Sequence, residues 1–167
     1  MTVAQLDNME VLVPAALVAQ LEGTSTPAGL GAEIGKAFGS LYAAVGQAGL
    51  VPSGAPRAIY TAWSSDEVRF TVAVPVNHKP ATPLTGNGVS IAELPAGKAL
   101  RFVHLGPYRD IRATYDQIEA WLRERGAVRT AADWARYCPM WEEYMNDPST
   151  TPESELVTHI FLPLRDA

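Results

Sequence analysis

The order of apolar and polar positions divides the chain into two runs of the same kind. Glu10 to Glu22 reads as a strand whose apolar members are Val11, Val13, Leu17, Val18 and Leu21, with Pro14 marking a bend or an edge. Gly23 to Gly29 is rich in Gly, Ser, Thr and Pro and reads as a loop. Leu30, Ile34, Phe38, Leu41 and Val45 recur every three or four residues, which predicts a helix over Leu30 to Ala48 with Gly49 as its stop. Two strands follow, Arg57 to Trp63 and Val68 to Val76. In the second, Val68, Phe70, Val72 and Val74 alternate with Arg69, Thr71 and Ala73. A polar stretch from Asn77 to Gly88, with two prolines and two glycines, closes this run.

The second run has the same order. Ser90 to Leu105 is a strand region broken at Pro95-Ala96-Gly97, and Gly106-Pro107 is a turn. A helix is predicted from Tyr108 or Arg109 to Arg125, with Ile111, Tyr115, Ile118 and Leu122 on one face and Gly126 as stop. Trp141 to Met145 and Leu156 to Leu164 read as the closing strands. Matching anchors support a duplication: Val13-Pro14-Ala15 with Leu94-Pro95-Ala96, Gly49 with Gly126, Tyr60 with Tyr144, and Val74-Pro75-Val76 with Leu162-Pro163-Leu164. The chain therefore reads as one α+β domain over residues 1–167, with pseudo-repeats at 9–77 and 89–167 and a linker at 78–88. Each repeat is a β-α-β-β unit whose helix stripe and sheet face cover each other. Together they form an antiparallel sheet with helices on one face, and a groove between the halves is the expected ligand site.

Composition narrows the function. With 167 residues, 47% hydrophobic and 19% charged, the chain is long enough to bury a core without covalent staples. A net charge of −5 gives it no general attraction for phosphate backbones or anionic membranes, so nucleic acid and membrane are not expected partners. One cysteine, Cys138, excludes a disulfide framework within the monomer. His78, His104 and His159 are widely spread, so no metal site is expected, and no phosphate loop or other cofactor motif is present. The start, Met1 to Asp7, has no basic segment followed by an apolar run, which gives a cytoplasmic expectation.

The candidate chemistry lies in Trp141-Glu142-Glu143-Tyr144. Strand alternation puts Glu142 and Tyr144 on one face and Trp141, Glu143 and Met145 on the other. One glutamate then points inward and its neighbour outward. An inward carboxylate among aromatics can hold a cationic aromatic ligand or activate water, and the residues leave both open. Tyr60 is the counterpart of Tyr144 as a pocket lining, whereas alternation places Trp63 on the opposite strand face unless the strand bulges. The stretch before Trp141 is longer than its counterpart and carries Trp134 and Tyr137, which together with Trp141 are candidate walls or a flap. Tyr108 anchors the second helix and is placed to reach the groove. Asp147-Pro148 is a turn initiator whose acid is expected to cap local amides.

The set Leu94-Pro95-Ala96-Gly97, Gly106-Pro107-Tyr108, Trp141-Glu142-Glu143-Tyr144-Met145-Asn146-Asp147-Pro148 and Leu162-Pro163-Leu164 resembles the GyrI-like effector-binding domain family over nearly the whole chain. That family includes ligand-binding halves of multidrug-responsive and AraC-type regulators, a gyrase-inhibitory protein and stand-alone proteins. The resemblance implies the duplicated fold, a hydrophobic and often cationic small-molecule ligand, and a pocket glutamate at Glu142. It implies a ligand-binding role for Glu142 and an aromatic near Trp63, which join Tyr144, Tyr60, Tyr108, Trp134, Tyr137 and Trp141, read from the residue pattern, as the expected ligand-binding set. Only Met1 to Met9 precede the first strand, so a stand-alone member without a DNA-binding module is expected. Two alternatives follow from the same family. One is a hydrolase opening cyclopropane-type electrophiles, with Glu142 as base and Tyr144 or Tyr60 as hydrogen-bond donor. The other is an inhibitor acting through a protein surface.

Overall fold

The computed structural model describes residues 10–84 and 88–165. The segment before Glu10 and the linker residues 85–87 therefore lie outside the described residues. Eight strands, β1 (Glu10–Val13), β2 (Ala16–Ser25), β3 (Arg57–Trp63), β4 (Val68–Pro75), β5 (Ser90–Leu94), β6 (Gly97–Leu105), β7 (Met140–Tyr144) and β8 (Val157–Leu164), accompany two helices, α1 (Leu30–Gln47) and α2 (Ile111–Glu124). Contacts group them into two units. The first is Pro14–Gly97, and the second joins the stretch ending at Val13 to the stretch beginning at Lys98.

In the first unit the strands lie in the order β3-β4-β2-β5, with every neighbouring pair antiparallel. In the second the order is β7-β8-β6-β1, with β8 antiparallel to both β6 and β7. Each unit thus has the same plan: a long strand, a helix, a returning pair of strands, and a short strand on the far edge of the long one. The duplicated β-α-β-β plan is present in the topology, but the repeat bounds 9–77 and 89–167 do not match the units: β1 joins the second and β5 the first, because each short strand pairs with the long strand of that unit. The helix stops match as well. Gly49 and Gly126 have φ of 69° and 68°, a conformation glycine adopts without steric cost. In both, the next residue donates back five positions, Leu50 N–H to Val45 O and Ala127 N–H to Leu122 O.

Several boundaries differ from the sequence reading. The single strand expected over Glu10 to Glu22 is two strands, because Pro14 lacks an N–H and interrupts the ladder. β2 also runs on to Ser25, through residues that read as loop, since Gly23 to Ser25 pair with Phe70 to Val68. Gly23 is required there: a Cβ would lie 2.5 Å from Phe70 Cζ, so the glycine leaves room for the ring. A short 3-10 turn, Tyr108–Asp110, precedes α2, and a longer one, Ala131–Tyr137, fills the stretch before β7. Thr130 and Asp133 cap the longer one reciprocally. β7 begins and ends one residue earlier than expected.

The apolar stripes meet the sheets as their spacing requires. α1 packs on β2 and β4 with Ile34, Ala37, Leu41 and Val45 buried. In the second unit Ile118 and Leu122 of α2 join Phe102 of β6 and Ile160 and Leu162 of β8, with Val128 and Tyr137 completing the core. The opposite face of that sheet buries Val13, Ala99 and Phe161. Among the described residues no helix is long and apolar enough to cross a membrane.

Two glycine substitutions are expected to act in opposite directions. Gly35 sits inside α1 with nothing among the described residues within 4 Å of a Cβ, so Gly35→Ala should stabilise by about 0.5–1 kcal/mol. Gly23→Ala should destabilise by about 1–3 kcal/mol through the clash with Phe70, and by less in a Phe70→Leu background. Urea unfolding of the three single variants and the double variant measures both.

Candidate functional site

The candidate site is built on β7 and the helix that covers it. In the ladder Glu142 stands opposite Ile160 and Tyr144 opposite Thr158. Ile160 belongs to the core under α2, so Glu142 shares the helix-covered face. It is 5% exposed. A carboxylate so enclosed needs donors, and two tyrosines supply them. Tyr144 Oη donates to Glu142 Oε1 at 2.8 Å, and Tyr115 Oη of α2 donates to Oε2 at 2.6 Å. The first bond agrees with alternation, which puts residues 142 and 144 on one side of the strand.

The aromatic surroundings follow from the same geometry. The Tyr108 ring meets the Tyr144 ring edge to face, with centroids 5.4 Å apart and planes at 70°. Burial, then the negative charges of Asp147 and Glu142, push the Tyr108 phenol above its usual range. Asp147 itself is held below the usual carboxylate range by the Ser149 hydroxyl and backbone N–H. It caps its turn, as Asp-Pro suggested.

One buried histidine ties the site's supports together. His104 of β6 is 3% exposed. Its Nε2 donates to the Pro107 carbonyl at 2.9 Å, and its Nδ1 pairs with Thr114 Oγ1 at 2.7 Å. Pro107 immediately precedes Tyr108, and Thr114 immediately precedes Tyr115. A single ring therefore holds the Pro107 backbone and the Thr114 side chain, each next to one of the site tyrosines.

The other candidate residues are distributed differently. Trp141 lies on the opposite face of β7, stacked on Phe161 at 4.9 Å with planes 7° apart, and its indole N–H donates to Glu143 at 2.9 Å. Glu143 is only half-buried. Nearby on this face, His159 is held below its usual pKa by burial and by Arg101, with Glu143 opposing. Tyr137 is a member of the core under α2, and Trp134 packs against that core and meets Tyr137 edge to face at 6.3 Å. Tyr60 and Trp63 belong to the first unit. A register shift between Tyr60 and Ala62 changes the alternation, so the two rings meet edge to face at 5.7 Å instead of facing apart. Trp63 is 61% exposed.

Tyr115 was read from the sequence only as part of an apolar stripe. Its hydroxyl was the available signal, because a tyrosine on a buried helix face requires a partner. His104 belongs to no metal-ligand pair in the sequence, and its contacts with Pro107 and Thr114 give no sequence signal. Among the described residues no group of three or more His, Cys, Asp or Glu side chains could hold a metal ion.

Removing one donor should expose the cost of the buried charge. Tyr115→Phe is expected to lower unfolding free energy by about 1–3 kcal/mol near neutral pH. In Glu142→Gln the same change should cost less, which a double-mutant cycle in urea measures. Tyr108 gives a pH signature. Its phenol is raised in the folded state, so its contribution is present below about pH 10 and is lost as pH rises through the folded value. Tyr108→Phe should flatten that alkaline loss, as read by stability measured between pH 9 and 11.

The fold and the site can be set beside known proteins. No curated protein matches the chain. Among solved structures, EcmrR in its DNA complex shares 17% identity and a TM-score of 0.73, covering 95% of this chain and 57% of that one. The chain thus spans little more than half of the full EcmrR chain, but 96% of its C-terminal domain alone, at 16% identity and a TM-score of 0.68 over 95% of this chain. SAV2435 bound to tetraphenylphosphonium matches at 12% identity and a TM-score of 0.61, covering 93% of this chain and 92% of that one. A hydrolase from Listeria innocua matches at 15% and 0.61, covering 92% and 89%. At these identities the likeness is one of fold. The profile of the GyrI-like small molecule binding domain matches residues 9–165, and the chain belongs to that family.

Proposed function

We propose that the protein binds hydrophobic, aromatic cations at Glu142. One observation carries this reading: a carboxylate that is 5% exposed, with a tyrosine hydroxyl on each oxygen and a second aromatic ring against one of those tyrosines. Such a group offers a fixed negative charge in a place of low dielectric, where attraction for a cation is stronger than in water. The rings of Tyr144 and Tyr108 add flat apolar surface and quadrupoles that favour a cation on their faces. The fold relative SAV2435, bound to tetraphenylphosphonium, is a precedent for this ligand class in this fold. Membership of a small-molecule-binding family agrees with it.

The same carboxylate suits a water-activating base less well. Each of its oxygens already accepts a tyrosine hydroxyl, which takes up an acceptor site on each that a water would use. The hydrolase reading would still require turnover, and that is directly measurable.

Calorimetry with tetraphenylphosphonium tests the proposal. The wild-type protein should bind the cation, and Glu142→Gln should weaken binding at least about tenfold. Equal affinity in the two proteins would refute the role of Glu142. Consumption of a cyclopropane-bearing electrophile by wild type, lost in Glu142→Gln, would favour the hydrolase reading instead.

A further inference from the structure

Beside the Glu142 site lies a polar group that the free protein does not use. Thr158 of β8 is 0% exposed, and its Oγ1 has no hydrogen-bond partner among the described residues. It stands opposite Tyr144 on one side and His104 on the other, on the face that carries Glu142. His104 cannot serve it, since both ring nitrogens are engaged by Thr114 and Pro107. Tyr144 directs its hydroxyl to Glu142. A buried hydroxyl without a partner lowers stability, and valine would fill the same volume without that cost. The position therefore carries a group that is unfavourable in the ligand-free chain.

We propose that Thr158 is a specificity-determining residue of the Glu142 site, taking a neutral hydrogen-bonding group of the ligand, such as an aromatic amine N–H. This rests on the reading of Glu142 as the cation site. Thr158 is enclosed, so a ligand reaches it only when the side chains around it move. The preferred ligand then has two parts, a delocalised cation for Glu142 and a neutral amine or comparable polar group for Thr158. A cation without hydrogen-bonding groups engages only the first.

Two probes separate the parts. Tetraphenylphosphonium has no hydrogen-bonding group, and ethidium carries two aromatic amines on a cationic ring. In Thr158→Val the ratio of ethidium affinity to tetraphenylphosphonium affinity should fall about 3- to 10-fold, the loss of one hydrogen bond. Thr158→Ser, which keeps the hydroxyl, should retain the ratio. The midpoint of thermal unfolding without ligand should rise or stay level in Thr158→Val. A lower midpoint would mean that the hydroxyl is already satisfied in the free protein and would overturn the assignment. An unchanged ratio in Thr158→Val, with Glu142→Gln weakening both cations, overturns the Thr158 assignment and leaves the Glu142 reading intact. Failure of the wild-type protein to bind either cation overturns the Glu142 reading itself.

Discussion

Enclosing a carboxylate away from water costs several kcal/mol unless donors replace the hydration it loses. Glu142 meets that condition with two tyrosine hydroxyls, one from its own strand and one from α2. A hydrogen bond to a charged group contributes about 1.5–3 kcal/mol, so the pair offsets much of the penalty. The second unit can be understood as the set of elements that brings those donors to the carboxylate. α2 must lie over β7 with Tyr115 at the right turn, and its beginning must not slide. His104 meets that need by joining the Gly106-Pro107-Tyr108 turn to Thr114.

The arrangement also separates two neighbours with the same side chain. Glu142 faces the helix and is enclosed, while Glu143 faces the other way and accepts the Trp141 indole N–H. Period-two geometry alone makes this difference. One glutamate becomes a buried charge held by hydroxyls, and the other a half-exposed partner for a stacked tryptophan on the far face.

How much of this the sequence carried depended on the range of the interaction. Helix stripes, glycine stops and the alternation of Glu142 with Tyr144 are local, and the pattern set them out. The β3 register shift was not legible, since it depends on how Thr61 sits against β4, and it brought Trp63 back beside Tyr60. Tyr115 was hidden by belonging to a good apolar stripe. Trp134, Tyr137 and Trp141 read as candidate walls or a flap because the stretch is long and aromatic; the capped 3-10 turn that lays Tyr137 into the core depends on contacts the local pattern does not carry. Pro14 showed where a strand would break. Its effect on the partner of β1 was invisible, because β6 lies far along the chain.

That last feature has a consequence for how the protein is made. The first unit is one continuous stretch, Pro14–Gly97, whereas the second needs both β1 and everything from Lys98 onward. During vectorial synthesis the first unit can fold as soon as it emerges. β1 emerges earlier still, but waits unpaired until β6 follows it out of the ribosome. Formation of the second unit joins two stretches separated in sequence by the whole of the first, a non-local step that is slow compared with helix formation. The donors of Glu142 are thus assembled last, and a chain stalled before β8 would carry the carboxylate without its enclosure.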